Sequence, residues 1–332
     1  MNNDIDMGKL GELVAEKSEF VDVLRSGMER QIVGQRHLVD ALLTALLSGG
    51  HILLEGMPGL AKTMAASTLA RLVKGEFSRI QFTPDLLPAD VVGTMVYSPR
   101  SETFSVKRGP VFANFVLADE INRAPAKVQS ALLEAMQEQQ VTLGENTFAL
   151  PQPFMVLATQ NPIEQEGTYP LPEAQTDRFM LKVRVDYPSD VEERNIVEGH
   201  LKGSLRELPQ SVCTKEDIIA ARETIEKVYV DERIVSYIIE LVFSTRKRKN
   251  PELKDLDKYV LYGASPRASI NLALAARTVA FMKRRAFVIP EDVREIAADV
   301  LRHRIGLTYE AEADNVTTDD IIGKILSSVK VP

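Results

Sequence analysis

The sequence predicts an α/β fold in which helices cover both faces of a parallel sheet, followed by a domain of helices alone. Up to residue 188, short apolar runs of strand length alternate with segments of helical periodicity. Continuous apolar strands separated by helices are typical of a parallel sheet that is buried on both faces. From Ser189 onward only helical patterns follow, over a length usual for a domain. We therefore expect an α/β domain over residues 1–188 and a helical domain over residues 189–332.

The composition narrows the class of protein. The 332 residues are 45% apolar and carry a formal net charge of −7, with a pI near 5.4. This acidic balance argues weakly against a dedicated nucleic-acid binder, which usually presents a basic face. Cys213 is the single cysteine, so the chain offers neither an internal disulfide nor a thiolate cluster for zinc. Without a signal-peptide pattern or an apolar stretch of bilayer length, we expect a cytoplasmic protein with no membrane insertion.

The elements of the first domain follow from periodicity. Apolar spacing predicts an amphipathic N-terminal helix over about residues 7–28, and a second helix from after Gln35 to about Leu47. The expected strands are His51–Glu55, Phe77–Phe82, Phe115–Asp119, Phe154–Thr159 and Met180–Val185. The expected helices between them are Lys62–Lys74 and Ala126–Gln137.

Two segments interrupt the alternation. Residues 85–108 form a long insertion, of a size that is more often functional than idle. Residues 139–150 are typical of a hairpin that turns at Gly144-Glu145-Asn146. In the second domain, Ser189 and Glu192 form a capping box, and Ser265-Pro266 is a strong helix start. The clearest helices expected there are Ile234–Thr245, Pro266–Arg285 and Pro290–Arg302.

A glycine-rich turn after the first strand predicts phosphate binding. The run GMPGLAKT occupies Gly56–Thr63, and such a turn aims backbone N–H groups and the positive end of the next helix at one point. Lys62 is expected to contact the β and γ phosphates, and the Thr63 hydroxyl to reach Mg²⁺. Ala61 replaces the glycine that usually precedes the lysine; alanine is tolerable there at negative φ and strained at positive φ.

Polar residues that end two later strands predict the rest of the site. Asp119 and Glu120 follow the apolar run from Phe115, where Asp119 would hold Mg²⁺ and Glu120 would polarise the attacking water. Asn161 follows the next strand, and its amide can donate to phosphate and accept from water. The alternatives are a pair that merely caps a strand and a plain Asn-Pro turn.

Arginines are the remaining candidates for catalysis, because a guanidinium on the γ-phosphate stabilises charge in the transition state. Arg178 precedes the last expected strand, and Arg267 opens a helix of the second domain. Arg123 is a third candidate. A surface salt bridge is the alternative for each.

Together these residues resemble the MoxR family of AAA+ ATPases over essentially the whole chain. The motifs that carry the resemblance are IVGQ at Ile32–Gln35, GMPGLAKT at Gly56–Thr63, FVLADEINRAP at Phe115–Pro125, ATQNP at Ala158–Pro162, LPEAQTDRF at Leu171–Phe179 and GASPRA at Gly263–Ala268. The resemblance implies an AAA+ core with a five-stranded parallel sheet, a helical lid, and ATP and Mg²⁺ as cofactors.

The resemblance also implies individual roles. Asn161 would be sensor 1, Arg267 sensor 2, acting in cis or in trans, and Arg178 an arginine finger that reaches a neighbouring subunit in a hexameric ring. Residues 85–108 would be the helix-2 insert, and residues 139–150 the hairpin before sensor 1. The nucleotide-binding set would be Ile32, Val33, Gly34, Gln35, Gly56, Pro58, Gly59, Leu60, Ala61, Lys62, Thr63, Met64, Asp119 and Arg267, with Thr63 and Asp119 at the metal.

Members of the family are thought to remodel or mature other proteins, often partners with a von Willebrand factor A domain. A DNA-acting motor is an alternative, favoured by the basic run Arg246–Lys249 and disfavoured because residues 139–150 contain no Lys or Arg. A metal-chelatase motor subunit and a slowly hydrolysing interaction switch are further alternatives. Protein clients are therefore expected, and nucleic acid is not.

Overall fold

The structure is a computed structural model that describes residues 6–100, 102–161, 168–203, 209–246 and 251–332. The chain divides into two compact units. The sheet unit contains Phe20–Phe179 and Val183–Ile219, and the helical unit contains Met1–Glu19, Met180–Lys182 and Ala220–Pro332.

The bounds of the elements are as follows. The strands are β1 (Ile52–Gly56), β2 (Phe77–Gln81), β3 (Gly93–Ser98), β4 (Thr103–Arg108), β5 (Phe115–Asp119), β6 (Gln140–Leu143), β7 (Asn146–Ala149), β8 (Met155–Gln160), β9 (Leu181–Val185), β10 (Val260–Tyr262) and β11 (Gly306–Leu307). The α-helices are α1 (Met7–Lys17), α2 (Glu19–Gln31), α3 (Arg36–Ser48), α4 (Lys62–Leu72), α5 (Pro88–Val92), α6 (Ala126–Glu138), α7 (Glu173–Thr176), α8 (Asp190–Lys202), α9 (Lys215–Ile225), α10 (Glu232–Ser244), α11 (Pro266–Met282), α12 (Pro290–Leu301), α13 (Tyr309–Ala313) and α14 (Thr318–Ser328).

The predicted five-stranded parallel sheet is confirmed. Its strand order is β2-β5-β8-β1-β9. After β1 the chain forms the edge strand β2, then β5 and β8 fill the positions between β2 and β1, and β9 is added on the other side of β1. In the register, Phe115 of β5 lies opposite Met155 of β8, and Ile52 of β1 lies opposite Leu157. Strands β5 and β8 are buried almost throughout, which explains their continuous apolar runs. The carboxyl ends of β1, β5 and β8 therefore meet at one edge of the sheet.

The expected N-terminal helix over residues 7–28 is two helices in the structure. The first helix, α1, ends at Ser18. The Ser18 hydroxyl donates to the Ala15 carbonyl at 3.3 Å. A serine hydroxyl that bonds to the nearby backbone competes with helix continuation. By contacts, α1 belongs to the helical unit and α2 to the sheet unit.

The units also divide differently from the expected boundary after residue 188. Residues 189–219 belong to the sheet unit, because the N–H groups of Val212 and Cys213 donate to the Leu72 carbonyl at 2.8 and 3.2 Å. Residues 180–182 belong to the helical unit, where Arg302 donates to the Lys182 carbonyl at 2.5 Å. The capping box of Ser189 and Glu192 is present at the start of α8.

Both insertions of the sheet unit contain an antiparallel pair of strands. Residues 85–108 contain α5 and the antiparallel pair β3–β4, in which Tyr97 lies opposite Phe104. Residues 139–150 contain the predicted hairpin, β6–β7, in which Val141 lies opposite Phe148.

The helical unit is built mainly from α10, α11, α12 and α14. Ser265 caps α11 as expected, and its hydroxyl accepts from the Arg267 N–H at 3.2 Å. One addition to the all-helical prediction is a short antiparallel ribbon, in which Val260 of β10 lies opposite Leu307 of β11. Within the described ranges, no helix combines the length and the apolar character that a membrane span requires.

Candidate functional site

A cavity of about 760 Å³ opens where the carboxyl ends of β1, β5 and β8 meet. The turn after β1 lines it from Pro58 to Met64, the end of β5 contributes Asp119 and Glu120, and the end of β8 contributes Thr159 and Asn161. Ligand sites of open α/β sheets lie at this edge, near the strand where the order reverses. All the residues that line the cavity belong to the sheet unit.

The turn between β1 and α4 is a strained, compact loop. Gly59 has φ of +87°, and Ala61 has φ of 56° and ψ of 14°, immediately before α4 begins at Lys62. Ala61 therefore adopts the conformation in which alanine is strained, at a cost of about 1–2 kcal/mol relative to glycine. Gly56 is required for another reason: a Cβ there would lie 2.6 Å from the Val185 carbonyl oxygen. Strain of this kind concentrates at functional sites.

The Lys62 ammonium is buried inside the loop, where it could bind an anion. Its side chain is buried, and Nζ donates to the Gly56 carbonyl oxygen at 2.6 Å. Burial lowers the pKa of Lys62, while the charges of Asp119, Glu120 and Glu55 oppose that shift. Because a buried ammonium is costly without a counter-charge, an anion in this loop would be strongly stabilised.

Both oxygens of the Asp119 carboxylate hold hydrogen bonds. The Thr159 hydroxyl donates to Oδ1 at 2.6 Å. The Arg79 guanidinium donates to Oδ2 through Nη2 at 2.6 Å and through Nε at 3.1 Å. Thr159 itself is 1% exposed, so Asp119 is anchored to the interior on one side and to a surface strand on the other.

Glu120 leaves β5 in a left-handed conformation, with φ of 56° and ψ of 50°. Its N–H donates to the Thr159 hydroxyl at 2.8 Å, which pins the strained backbone. Its carboxylate accepts from Gln81 Nε2 at 2.8 Å and lies 3.2 Å from Arg123 Nε. Arg123, the third arginine singled out from the sequence, is thus an ion-pair partner of Glu120.

The expected adenine segment, Ile32–Gln35, contributes two residues to the cavity wall, Val33 and Gln35. Gln35 Nε2 donates to the Asp186 carbonyl at 2.8 Å. Ile32 is buried and is not among the residues that line the cavity. Gly34 has φ of +79°, and a Cβ there would lie 2.6 Å from the Glu192 side chain.

One wall of the cavity had no counterpart in the sequence prediction. It consists of α8 and the residues before it, and the contributing residues are Tyr187, Pro188, Glu193, Ile196 and His200. Arg79 and Gln81 of β2 and Gln31 of α2 also line the cavity. None of the sequence motifs described above includes these positions. The sequence indicated them only through the apolar residues of the helix that begins after Ser189.

Three predicted residues remain to be placed: Arg178, Arg267 and Asn161. Arg178 lines a second, smaller cavity of about 260 Å³, and the other residues around it are Ser130, Glu134, Gln137, Glu138 and Gln175. Arg178 is absent from the lining of the larger cavity. Arg267 lies in the first turn of α11 in the helical unit. Asn161 is 8% exposed and lines the larger cavity, whereas Pro162, which ends the same motif, lies outside the described residues.

The residues present fit a nucleoside triphosphate with Mg²⁺. The cavity volume is in the range of small-molecule sites. A helix N-terminus and a buried ammonium lie at one end, and both favour phosphate. The Thr63 hydroxyl and the Asp119 carboxylate are hard oxygen donors of the kind that Mg²⁺ prefers.

Comparison with known proteins agrees with this geometry. Residues 51–181 match the model of the ATPase family associated with various cellular activities (AAA), and residues 252–325 match the AAA lid domain. The chain is 51% identical to the chaperone MoxR1 of Mycobacterium tuberculosis, over 92% of this chain and 80% of that protein. It is 45% identical to the uncharacterised protein YeaC of Bacillus subtilis, over 92% of each chain.

A solved structure is similar over the same length. A candidate ATPase from Cytophaga hutchinsonii superposes with a TM-score of 0.91 at 48% identity, and the match covers 99% of each chain. The strand order, the loop around Lys62 and these relatives lead to one assignment. The chain belongs to the MoxR family of AAA+ ATPases.

Proposed function

We propose that this protein is a Mg²⁺-dependent ATPase, which hydrolyses ATP to ADP and phosphate in the cytoplasm and uses the energy to remodel other proteins. One observation carries the proposal. Lys62, Asp119 and Glu120, which are distant in sequence, line one cavity together with the glycine-rich loop. Membership of an ATPase family supports the same reaction.

The residues around the cavity suit the steps of binding. Backbone N–H groups from Gly59 to Thr63, with the Lys62 ammonium, would hold the β and γ phosphates. Thr63 and Asp119 would hold Mg²⁺, which when bound neutralises charge that develops on the phosphate oxygens. The segment Ile32–Gln35 would border the adenine, and Met64 would complete the loop.

Hydrolysis requires a base and a charge-stabilising partner. A water molecule would attack the γ-phosphorus while its proton passes to Glu120 and the bond to ADP breaks. Asn161 at the end of β8 would contact both the γ-phosphate and that water, as sensor 1. Arg267 would serve as sensor 2, in cis or in trans.

Arg178 would act on the nucleotide of a neighbouring subunit, within a hexameric ring. Its position supports this role, because it lines the smaller cavity and not the larger cavity that contains Lys62 and Asp119. A finger supplied in trans raises the turnover by about 10³-fold or more.

A concentration series tests the shared site. We expect the specific ATPase activity of the full chain to rise with protein concentration, and Arg178→Ala to abolish hydrolysis while ATP binding persists. Arg30→Ala, at an exposed arginine of α2, is the matched control. Activity that is independent of concentration and survives Arg178→Ala would contradict the trans role.

Partner capture tests the remodelling role. The similarity to a protein named as a chaperone supports a protein client, and a von Willebrand factor A domain protein is the specific expectation. Glu120→Gln should bind ATP without hydrolysing it and retain such a client. Lys62→Ala, which should bind ATP only weakly, is the control. A retained partner that makes a metal-insertion complex would favour the chelatase motor instead.

The DNA-motor alternative has little support. Arg246 donates to the Ala264 carbonyl and lies over the Phe243 ring, which is a structural role at the end of α10. Residues 247–249 of the basic run lie outside the described residues. DNA binding that weakens steeply with salt would revive this alternative.

A further inference from the structure

We infer that Arg79 is a resident counter-cation of the metal site, which occupies Asp119 when no divalent ion is bound and which the ion must displace. This inference rests on the proposed function. It concerns a residue that belongs to none of the family motifs described above. Arg79 would therefore raise the concentration of divalent metal that is needed to fill the site.

The position of Arg79 follows from strand geometry. Strand β2 is the edge of the sheet, and it pairs with β5 so that Gln81 lies opposite Asp119. Side chains two residues apart share a face of a strand, so Arg79 and Gln81 extend from the same face. Both then reach the acidic end of β5, Arg79 at Asp119 and Gln81 at Glu120.

The Arg79 contacts fall on the carboxylate that is expected to hold the metal. Two guanidinium nitrogens of Arg79 converge on Asp119 Oδ2, at 2.6 and 3.1 Å. The other oxygen, Oδ1, already accepts from the buried Thr159 hydroxyl. A divalent ion at Oδ2 would meet a cation on the same oxygen, and like charges at that separation repel strongly. Metal and guanidinium therefore compete for the Asp119 carboxylate.

Lys62 is not the direct counter-cation of Asp119. Among the described residues that line the cavity, the lysine and arginine side chains are those of Lys62 and Arg79. The Lys62 ammonium bonds to the Gly56 carbonyl, so the direct ion pair of Asp119 is with Arg79.

Exposure makes the contact reversible. The Arg79 side chain is 50% exposed, whereas that of Asp119 is 14% exposed. A displaced guanidinium can move into water at little cost, while Asp119 stays in place through Thr159. The Arg79 Nη2 group also donates to Gln81 Oε1 at 3.0 Å, which gives it a second partner on its own strand.

Metal titration of the full chain tests the inference. Mn²⁺ prefers the same oxygen donors as Mg²⁺ and can be counted by electron paramagnetic resonance. With ADP at one fixed concentration for every variant, we expect Arg79→Gln to lower the Mn²⁺ concentration for half-occupancy by about threefold to tenfold, the range for a partly exposed charge-assisted pair. Arg79→Lys, which keeps the charge but loses the two-nitrogen fork, should fall between Arg79→Gln and the wild type. Arg71→Gln, at an exposed arginine of α4, should match the wild type.

The outcomes separate the inference from the proposed function. An unchanged or raised half-occupancy concentration in Arg79→Gln, with a wild-type melting temperature, would overturn the inference, because Arg79 would then merely support the fold or Asp119. A wild-type chain that binds no nucleotide at any metal concentration would overturn the proposed function itself. If Arg79→Gln folds poorly, the shift in Arg79→Lys decides the question.

Discussion

Thr159→Val removes the hydroxyl that joins the two acidic residues of the site. Thr159 Oγ1 donates to Asp119 Oδ1 at 2.6 Å and accepts from the Glu120 N–H at 2.8 Å. Valine has nearly the same shape, but it can make neither bond, and the site is 1% exposed, so water does not replace them. The substitution therefore isolates the hydrogen bonds from the packing.

The magnitude follows from the two bonds. A hydrogen bond to a charged group contributes about 1.5–3 kcal/mol, and a buried N–H left unpaired costs about 1–3 kcal/mol. Because the two bonds share one hydroxyl, their contributions do not add fully, and we expect a loss of about 3 kcal/mol. The ATPase rate should fall by about a hundredfold as well, because Glu120 loses the bond that holds its strained backbone.

Hydrogen exchange measures this loss within the sheet unit alone. Amides of β5 and β8 that exchange through opening of the unit should exchange about a hundredfold faster in Thr159→Val, since each 1.4 kcal/mol is a factor of ten. Thr159→Ser is the matched control: it keeps the hydroxyl, loses one methyl group, and should cost about 1 kcal/mol. Equal exchange in the wild type and Thr159→Val would refute the role assigned to the hydroxyl.

Two further predictions concern the glycine-rich loop. Ala61→Gly should raise the free energy of unfolding by about 0.5–1 kcal/mol, because relief of the left-handed alanine outweighs the entropy of the added glycine, and a lower melting temperature would contradict this. The second prediction is that the affinity for ATP falls as the pH is raised, because Lys62 loses its proton. Burial lowers the pKa of Lys62 from its ordinary 10.5 in the free protein, whereas bound phosphate would keep the ammonium charged, so affinity stays level at lower pH and declines as the pH rises through the lowered pKa. Titration of a fluorescent ATP analogue from about pH 7 to pH 10 measures this, and Lys62→Gln should bind weakly with no such decline.

Much of the fold could be predicted because its signals are local. Buried parallel strands such as β5 and β8 are continuous apolar runs, and the helices between them keep a regular period. The helix end at Ser18 was missed because the apolar spacing continues across it, and the hydroxyl bond to the backbone at that residue leaves no periodic signal. The ribbon of β10 and β11 was missed because two- and three-residue strands carry no period.

Site residues could be predicted where they belong to a recognisable sequence motif, as Lys62 and Asp119 do. Arg79 was not, because an arginine in an exposed edge strand looks like any solvated surface residue until the partner strand is known. Thr159 was visible in its motif, but only the register of β8 beside β5 shows that its hydroxyl joins Asp119 to Glu120. The wall formed by α8 depends on how the chain returns to the cavity after β9.

Equilibrium dialysis of ATP with Mg²⁺ against the full chain tests the central claim, that the loop around Lys62 and the carboxylate of Asp119 form one binding site. We predict saturable binding of one ATP per chain that is lost on removal of the metal and weakened at least a hundredfold in both Lys62→Ala and Asp119→Ala. Absence of binding by the wild type, or binding that neither substitution weakens, would contradict the claim.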